Sequence, residues 1–182
     1  KFNCKLNEIG GYALIEDNKS QIIMDVGRPP EKKFSQNYQS GTLSFEFSYL
    51  NNKIITNSGY FQKEKHQLNS MSRSSVAHST LVVDDTSIVK FNNTIYGDKY
   101  VKKYFNIIRK KVIKDTDKWI LQAAHDSYKK KYNIIHERQI EFFSKKILLR
   151  GKDILEKKTK NLSYNFEIRF HLHPKIKATK TI

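Results

Sequence analysis

The segment from Arg73 to Asp85, "RSSVAHSTLVVDD", places an arginine, a histidine between small and hydroxyl residues, and a pair of aspartates around one short apolar run. These residue types suit nucleophilic hydrolysis, metal ligation or the holding of an anion. Hydrolysis through Ser74, Ser75 or Ser79 with His78 and Asp84 or Asp85 would need a serine on a strained turn, and no G-x-S-x-G elbow occurs. Members of such triads also converge from distant segments, so closeness in sequence argues little. Arg73 offers different chemistry: a guanidinium in a loop over an anionic cleft can hold a carboxylate through two parallel hydrogen bonds. A loop salt bridge is the alternative role. His171 and His173, two apart, would share one strand face with Glu167 and Arg169 and could chelate or contact one ligand. A polar outer face near a sheet edge is the competing reading. His125 and His136 sit at strand ends and read as hydrogen-bonded structural histidines. Phosphate-cradling motifs of the G-x-G-x-x-G or Walker type are absent from the sequence.

The elements that must position these residues are strands. In "TLSFEFS", residues 42–48, Leu43, Phe45 and Phe47 alternate with polar neighbours at the period of a half-buried strand. Asn51-Asn52 then predicts a two-residue hairpin into "KIIT", because Asn tolerates positive φ. "NFEIRFHLH", residues 165–173, predicts a strand with Phe166, Ile168, Phe170 and Leu172 on the inner face. Seven further apolar runs, "GYALIE", "SQIIMDVG", "HSTLVVD", "YFNIIRKKVI", "KWILQAAH", "NIIHERQIEFF" and "KKILLRG", are separated by turn signals such as "GRPPEKK" and "KDTDK". No sustained helical period appears. About ten or more short strands without intervening helices predict an all-β fold, an antiparallel sandwich of two packed sheets. Residues 1–182 read as one domain.

Composition narrows the function classes. The net charge of +16 is unevenly placed: residues 1–98 hold 11 basic and 10 acidic residues, and residues 99–182 hold 23 and 8. Lysine runs such as "KKYFNIIRKKVIK" could attract a polyanion or simply decorate solvated strands. Cys4 has no partner for a disulfide or a cysteine-rich zinc site and reads as a small apolar filler. No stretch is long and apolar enough to predict a membrane span. The chain starts at Lys1 without a signal-like apolar segment, which suggests a piece of a longer polypeptide.

The order of motifs carries a resemblance. "GYALIEDNKSQIIMDVGRPP", "SGTLSFEFS", "IITNSGYF", "RSSVAHSTLVVDDT", "AAHDSY" and "RFHLHP" follow one another as in the C-terminal β-domain of the heparinase II/III-like polysaccharide lyases, which residues 10–175 resemble. The resemblance implies a preceding helical toroid in the same polypeptide, with a uronate-binding cleft between the two parts. It also implies β-elimination: the uronate carboxylate is neutralised, a Tyr or His base removes the C5 proton, and the leaving oxygen is protonated. Most of those groups would belong to the toroid. A periplasmic or cell-envelope location is implied on the same basis.

Position by position, the resemblance thins at the metal. The family pattern H-x-H-A-D-x-L-S-F-E stands here as "NYQSGTLSFE", with Asn37 and Gln39 at the two histidine positions, the second of which binds zinc in the family. The aspartate ligand of D-S-G is Asn57, and His78 holds the place of the third ligand. One imidazole and two neutral amides make a poor zinc site, so no tightly bound zinc is expected. His78 and Arg73 become substrate-binding candidates, and Tyr60, just after "NSG", stands where the family carries a cleft tyrosine; His78 and Tyr60 are the catalytic candidates.

Three functions compete: a lyase β-domain acting on an acidic polysaccharide, a carbohydrate-binding or structural module of the same fold without catalysis, and a nucleic-acid-binding β-domain. The last rests on charge alone and lacks any recognition signature.

Overall fold

The computed structural model describes residues 7–63, 66–92, 100–157 and 163–180; Cys4 lies outside them. Every strand pairing in it is antiparallel. In chain order the strands are β1 (Asn7–Ile9), β2 (Tyr12–Glu16), β3 (Ser20–Asp25), β4 (Phe45–Tyr49), β5 (Asn52–Thr56), β6 (Leu81–Val83), β7 (Ile107–Lys114), β8 (Lys118–His125), β9 (Ile134–Phe143), β10 (Leu148–Lys157), β11 (Phe166–Ile168) and β12 (His171–Leu172). Two short helices interrupt them, α1 (Gln67–Arg73) and α2 (Lys129–Tyr132).

A six-stranded sheet ordered β1-β2-β3-β4-β5-β12 faces a four-stranded sheet ordered β10-β9-β8-β7, and β11 pairs with β6 beside them. Alternation explains the sandwich. Ala13, Ile15, Ile22, Met24, Phe45 and Phe47 from the first sheet meet Trp119, Leu121, Ile140 and Phe142 from the second in one core. A second cluster gathers Leu81, Val83, Ile88, Val101, Phe105, Tyr128 and Ile134. The all-β sandwich predicted from periodicity is therefore the observed fold.

Three local expectations are corrected. The hairpin read at Asn51-Asn52 turns at Leu50 and Asn51, with φ of 48° and 61°, because Tyr49 pairs with Asn52. The strand read from Thr42 begins at Phe45, since Leu43 is left-handed at φ 62° and the Ser44 amide closes a turn onto Gly41 O. The alternation of the last strand is inverted: Phe166, Ile168, Phe170 and Leu172 are 56, 40, 49 and 39% exposed, while Arg169 and His171 turn inward.

Six lysines of the second half, Lys110, Lys111, Lys114, Lys118, Lys152 and Lys157, lie on the four-stranded sheet. On its outer face Arg109 pairs with Glu137 and Glu156, and Lys118 and Arg150 both reach Glu141. No helix among the described residues is long and apolar enough to cross a membrane.

Candidate functional site

The face of the six-stranded sheet turned away from the core forms the floor of a cleft of about 600 Å³. Period-two alternation delivers Tyr12 and Leu14 from β2, Ile23 and Asp25 from β3 and Glu46 from β4 to that face. Register sets them in rungs, Tyr12 opposite Asp25, and Leu14, Ile23 and Glu46 side by side. The wall is made by Asn37, Tyr38, Gln39, Gly41, Asn57, Gly59 and His78.

The "RSSVAHS" motif buckles this wall together. Arg73, 1% exposed, donates from Nε to Tyr38 O at 3.0 Å and from Nη2 to Ser35 O at 3.3 Å, with its guanidinium 4.0 Å from the Phe91 ring centre. Ser75 Oγ donates to Ser40 O at 2.8 Å and itself accepts the Ile88 amide. His78 Nδ1 donates to Ser74 O at 2.9 Å, and its Nε2 lies 3.1 Å from Gln39 Oε1. The Ser79 amide donates to Asn57 Oδ1 at 2.8 Å, and its hydroxyl donates to Thr56 O. Gly41 fits under His78 because it lacks a side chain: a Cβ there would come 2.6 Å from the imidazole Cδ2.

Burial holds His78 below the ordinary histidine value, with the Ser74 carbonyl working against it and His171 adding slightly to the fall. The ring is therefore neutral, protonated at Nδ1, and satisfied at Nε2 when Gln39 presents its amide nitrogen. Asp25 is pushed up to about 7 by burial, against the pull of the Gly27 amide that donates to its Oδ1 at 3.0 Å. Burial raises Tyr38 and Tyr12 as well, and Asp25 adds to both.

Zinc does not fit this wall. Asn57 spends Oδ1 on the Ser79 amide and Nδ2 on Glu46 Oε1, and His78 offers one lone pair directed at Gln39. No group of three His, Cys, Asp or Glu side chains is arranged to hold a metal among the described residues.

The structure brings Asn37, Gln39, Asn57 and His78 together and puts Arg73 and Tyr60 elsewhere. Arg73 braces the 35–40 loop from beneath and does not line the cleft, so the carboxylate-holding expectation gives way to a positioning one. Tyr60 lines a separate hollow with Phe61, Leu68 and Met71, and its hydroxyl accepts from Asn69 Nδ2 at 3.2 Å. His171 Nε2 donates to Val76 O, and His173 Nδ1 accepts the Lys175 amide, so the pair does not converge on one ligand. His125 and His136 are indeed internal: the Ser127 amide donates to His125 Nδ1, His125 Nε2 to His136 Nδ1, and His136 Nε2 to Asp153. Arg138 clamps the same Asp153 at 2.8 and 2.9 Å and reaches Leu43 O and Ser79 O across the sandwich.

Sequence reasoning missed Asp25, Tyr12, Tyr38 and Glu46. The one available signal was a carboxylate closing an apolar strand just ahead of "VGRPP".

A family model described as "Heparinase II/III-like, C-terminal" matches residues 5–181. Two solved structures of heparan sulfate lyase HepC from Pedobacter heparinus, one of them a mutant, superpose with a TM-score of 0.53 at 18 and 17% identity. The superpositions cover 74 and 75% of this chain but only 19% of those, so the likeness is one of fold. No curated protein matches the sequence. The chain belongs to the heparinase II/III-like family, as its C-terminal β-domain.

Proposed function

We propose that this chain is the β-domain of a polysaccharide lyase that cleaves a uronate-containing polymer by β-elimination, together with a helical region of the same polypeptide. The observation that carries the reading is the family match over residues 5–181, which includes the cleft and the "RSSVAHS" buckle. Elimination needs the uronate carboxylate neutralised, the C5 proton removed and the leaving oxygen protonated. In this proposal the chain supplies a preorganised wall, and the neutral His78 is a proton-handling group on it. No step uses zinc, because one imidazole and two engaged amides do not form its site.

The test is ultraviolet absorbance of unsaturated uronate when the full-length protein meets a panel of acidic polysaccharides. A rise with one polymer, lost in His78→Ala and untouched by chelator, supports the proposal. A second reading, a binding module without catalysis, is favoured by the neutral Asn37, Gln39 and Asn57. Salt-sensitive binding of the same polymers with no rise in absorbance would establish that reading instead.

A further inference from the structure

We infer that the cleft between the six-stranded sheet and the 37–41 loop is a subsite for an uncharged sugar ring that turns away the uronate. The inference rests on the lyase reading for its polymer but not for its chemistry. Although the protein carries a net charge of +16, no lysine or arginine lines this cleft among the described residues. Its ionisable groups are the carboxyls of Asp25 and Glu46, the phenols of Tyr12 and Tyr38, and the neutral imidazole of His78.

That combination selects by charge and by shape. Glu46 is anchored at the wall: its Oε1 accepts both the Asn57 amide and Asn57 Nδ2 at 3.3 Å, so its charge is fixed beside the cleft. A second carboxylate brought alongside would meet like charge in a partly dehydrated space, where such repulsion is weakly screened. Asp25, pushed up to about 7 by burial, holds its proton through the acid range and is there a hydrogen-bond donor to a sugar hydroxyl. Tyr12, 51% exposed at the mouth, offers an aromatic face, and Leu14 and Ile23 give the floor an apolar strip. Gln39 and Asn37 complete the polar rim. An aromatic face, an apolar strip and neutral donors suit the two faces and the hydroxyls of a pyranose. The uronate of an alternating polymer then falls outside this cleft, where cations not on this wall must hold it.

The experiment titrates the isotopically labelled protein with methyl glycosides of glucose, N-acetylglucosamine, glucosamine and glucuronic acid at neutral pH, following the amide signals of Gln39, Gly41 and Asn57. Uncharged glycosides should shift these signals, and the glucuronide should bind at least about tenfold more weakly. Glu46→Gln, which keeps the acceptor for Asn57, should close that gap to about threefold. Glucuronide binding as tight as the uncharged glycosides, or a gap that Glu46→Gln leaves unchanged, would overturn the inference. No binding by any glycoside, in a protein that still releases unsaturated uronate, would also overturn it and leave the lyase reading standing. Uncharged binding without any elimination by the full-length protein would uphold the subsite while sinking the lyase reading.

Discussion

At the scale of single residues, Arg73 shows what sequence could and could not say. Its type and its place in the motif were legible; its direction was not, because a guanidinium satisfies two carbonyls in a core as readily as a carboxylate in a cleft. Arg73→Ala should cost about 2–4 kcal/mol in urea unfolding, since two charge-assisted bonds to buried carbonyls and the stacking on Phe91 are lost together. Arg73→Lys should recover little of this, because one ammonium cannot span Tyr38 O and Ser35 O. A loss under about 1 kcal/mol would show that the loop does not depend on it. The metal positions carry a second prediction. Gln39→His combined with Asn57→Asp rebuilds an imidazole and carboxylate set around His78, and the double variant should retain about one equivalent of zinc after dialysis, measured by elemental analysis. The parent protein should retain far less. A parent carrying stoichiometric zinc would refute the reading of Asn57 as an amide committed to Ser79 and Glu46.

At the scale of elements, period-two alternation located nearly every strand but not always which side was inside. In β2, β3 and β4 one set is apolar and the other mixed, and the apolar set is buried. Across β11, β12 and the residues joining them, Arg169 and His171 turn inward, and His171 finds partners there: its ring reaches Val76 O, and its amide reaches Ser79 Oγ. Pattern alone cannot weigh those bonds against exposed rings, so the predicted face was reversed. The hairpin error is similar in kind. Asn51-Asn52 is the better turn dipeptide, but placing it at the turn would shift the register by one residue and send the Phe45 and Phe47 partners to the wrong face. Leu50 therefore takes a left-handed conformation that costs a side chain about 1 kcal/mol. Leu50→Asn should raise stability by about that amount, because Leu50 is 54% exposed and Asn keeps the amide that donates to Lys19 O. A destabilised variant in thermal or urea melts would mean that the exposed leucine packs in a way the register does not require.

At the scale of the whole molecule, two buried titrating systems on opposite sheets set how stability depends on pH. His125 and His136 are completely buried, and burial holds both below the ordinary histidine value, for His136 against the pull of Asp153. Every ring nitrogen is already committed in the chain from Ser127 to Asp153, so a second proton on His125 would displace the Ser127 amide. Unfolding below about pH 6.5 therefore takes up as many as three protons, the third at the buried His78, and stability rises with pH until that point. Asp25 acts in the opposite sense. Its value is raised from 3.8 to about 7, so the native state holds a proton that the unfolded chain releases, and stability from this group is lost as pH climbs through that window. Between about pH 4 and 7 the two contributions oppose each other, Asp25 offsetting the rise by at most about 1.4 kcal/mol per pH unit. Urea midpoints should therefore climb steeply below about pH 4, more gently between about 4 and 7, and level off above. Asp25→Asn should remove the opposing contribution and steepen the climb between about pH 4 and 7. A climb of unchanged steepness in Asp25→Asn would remove the support that Asp25 lends to the cleft as a proton donor.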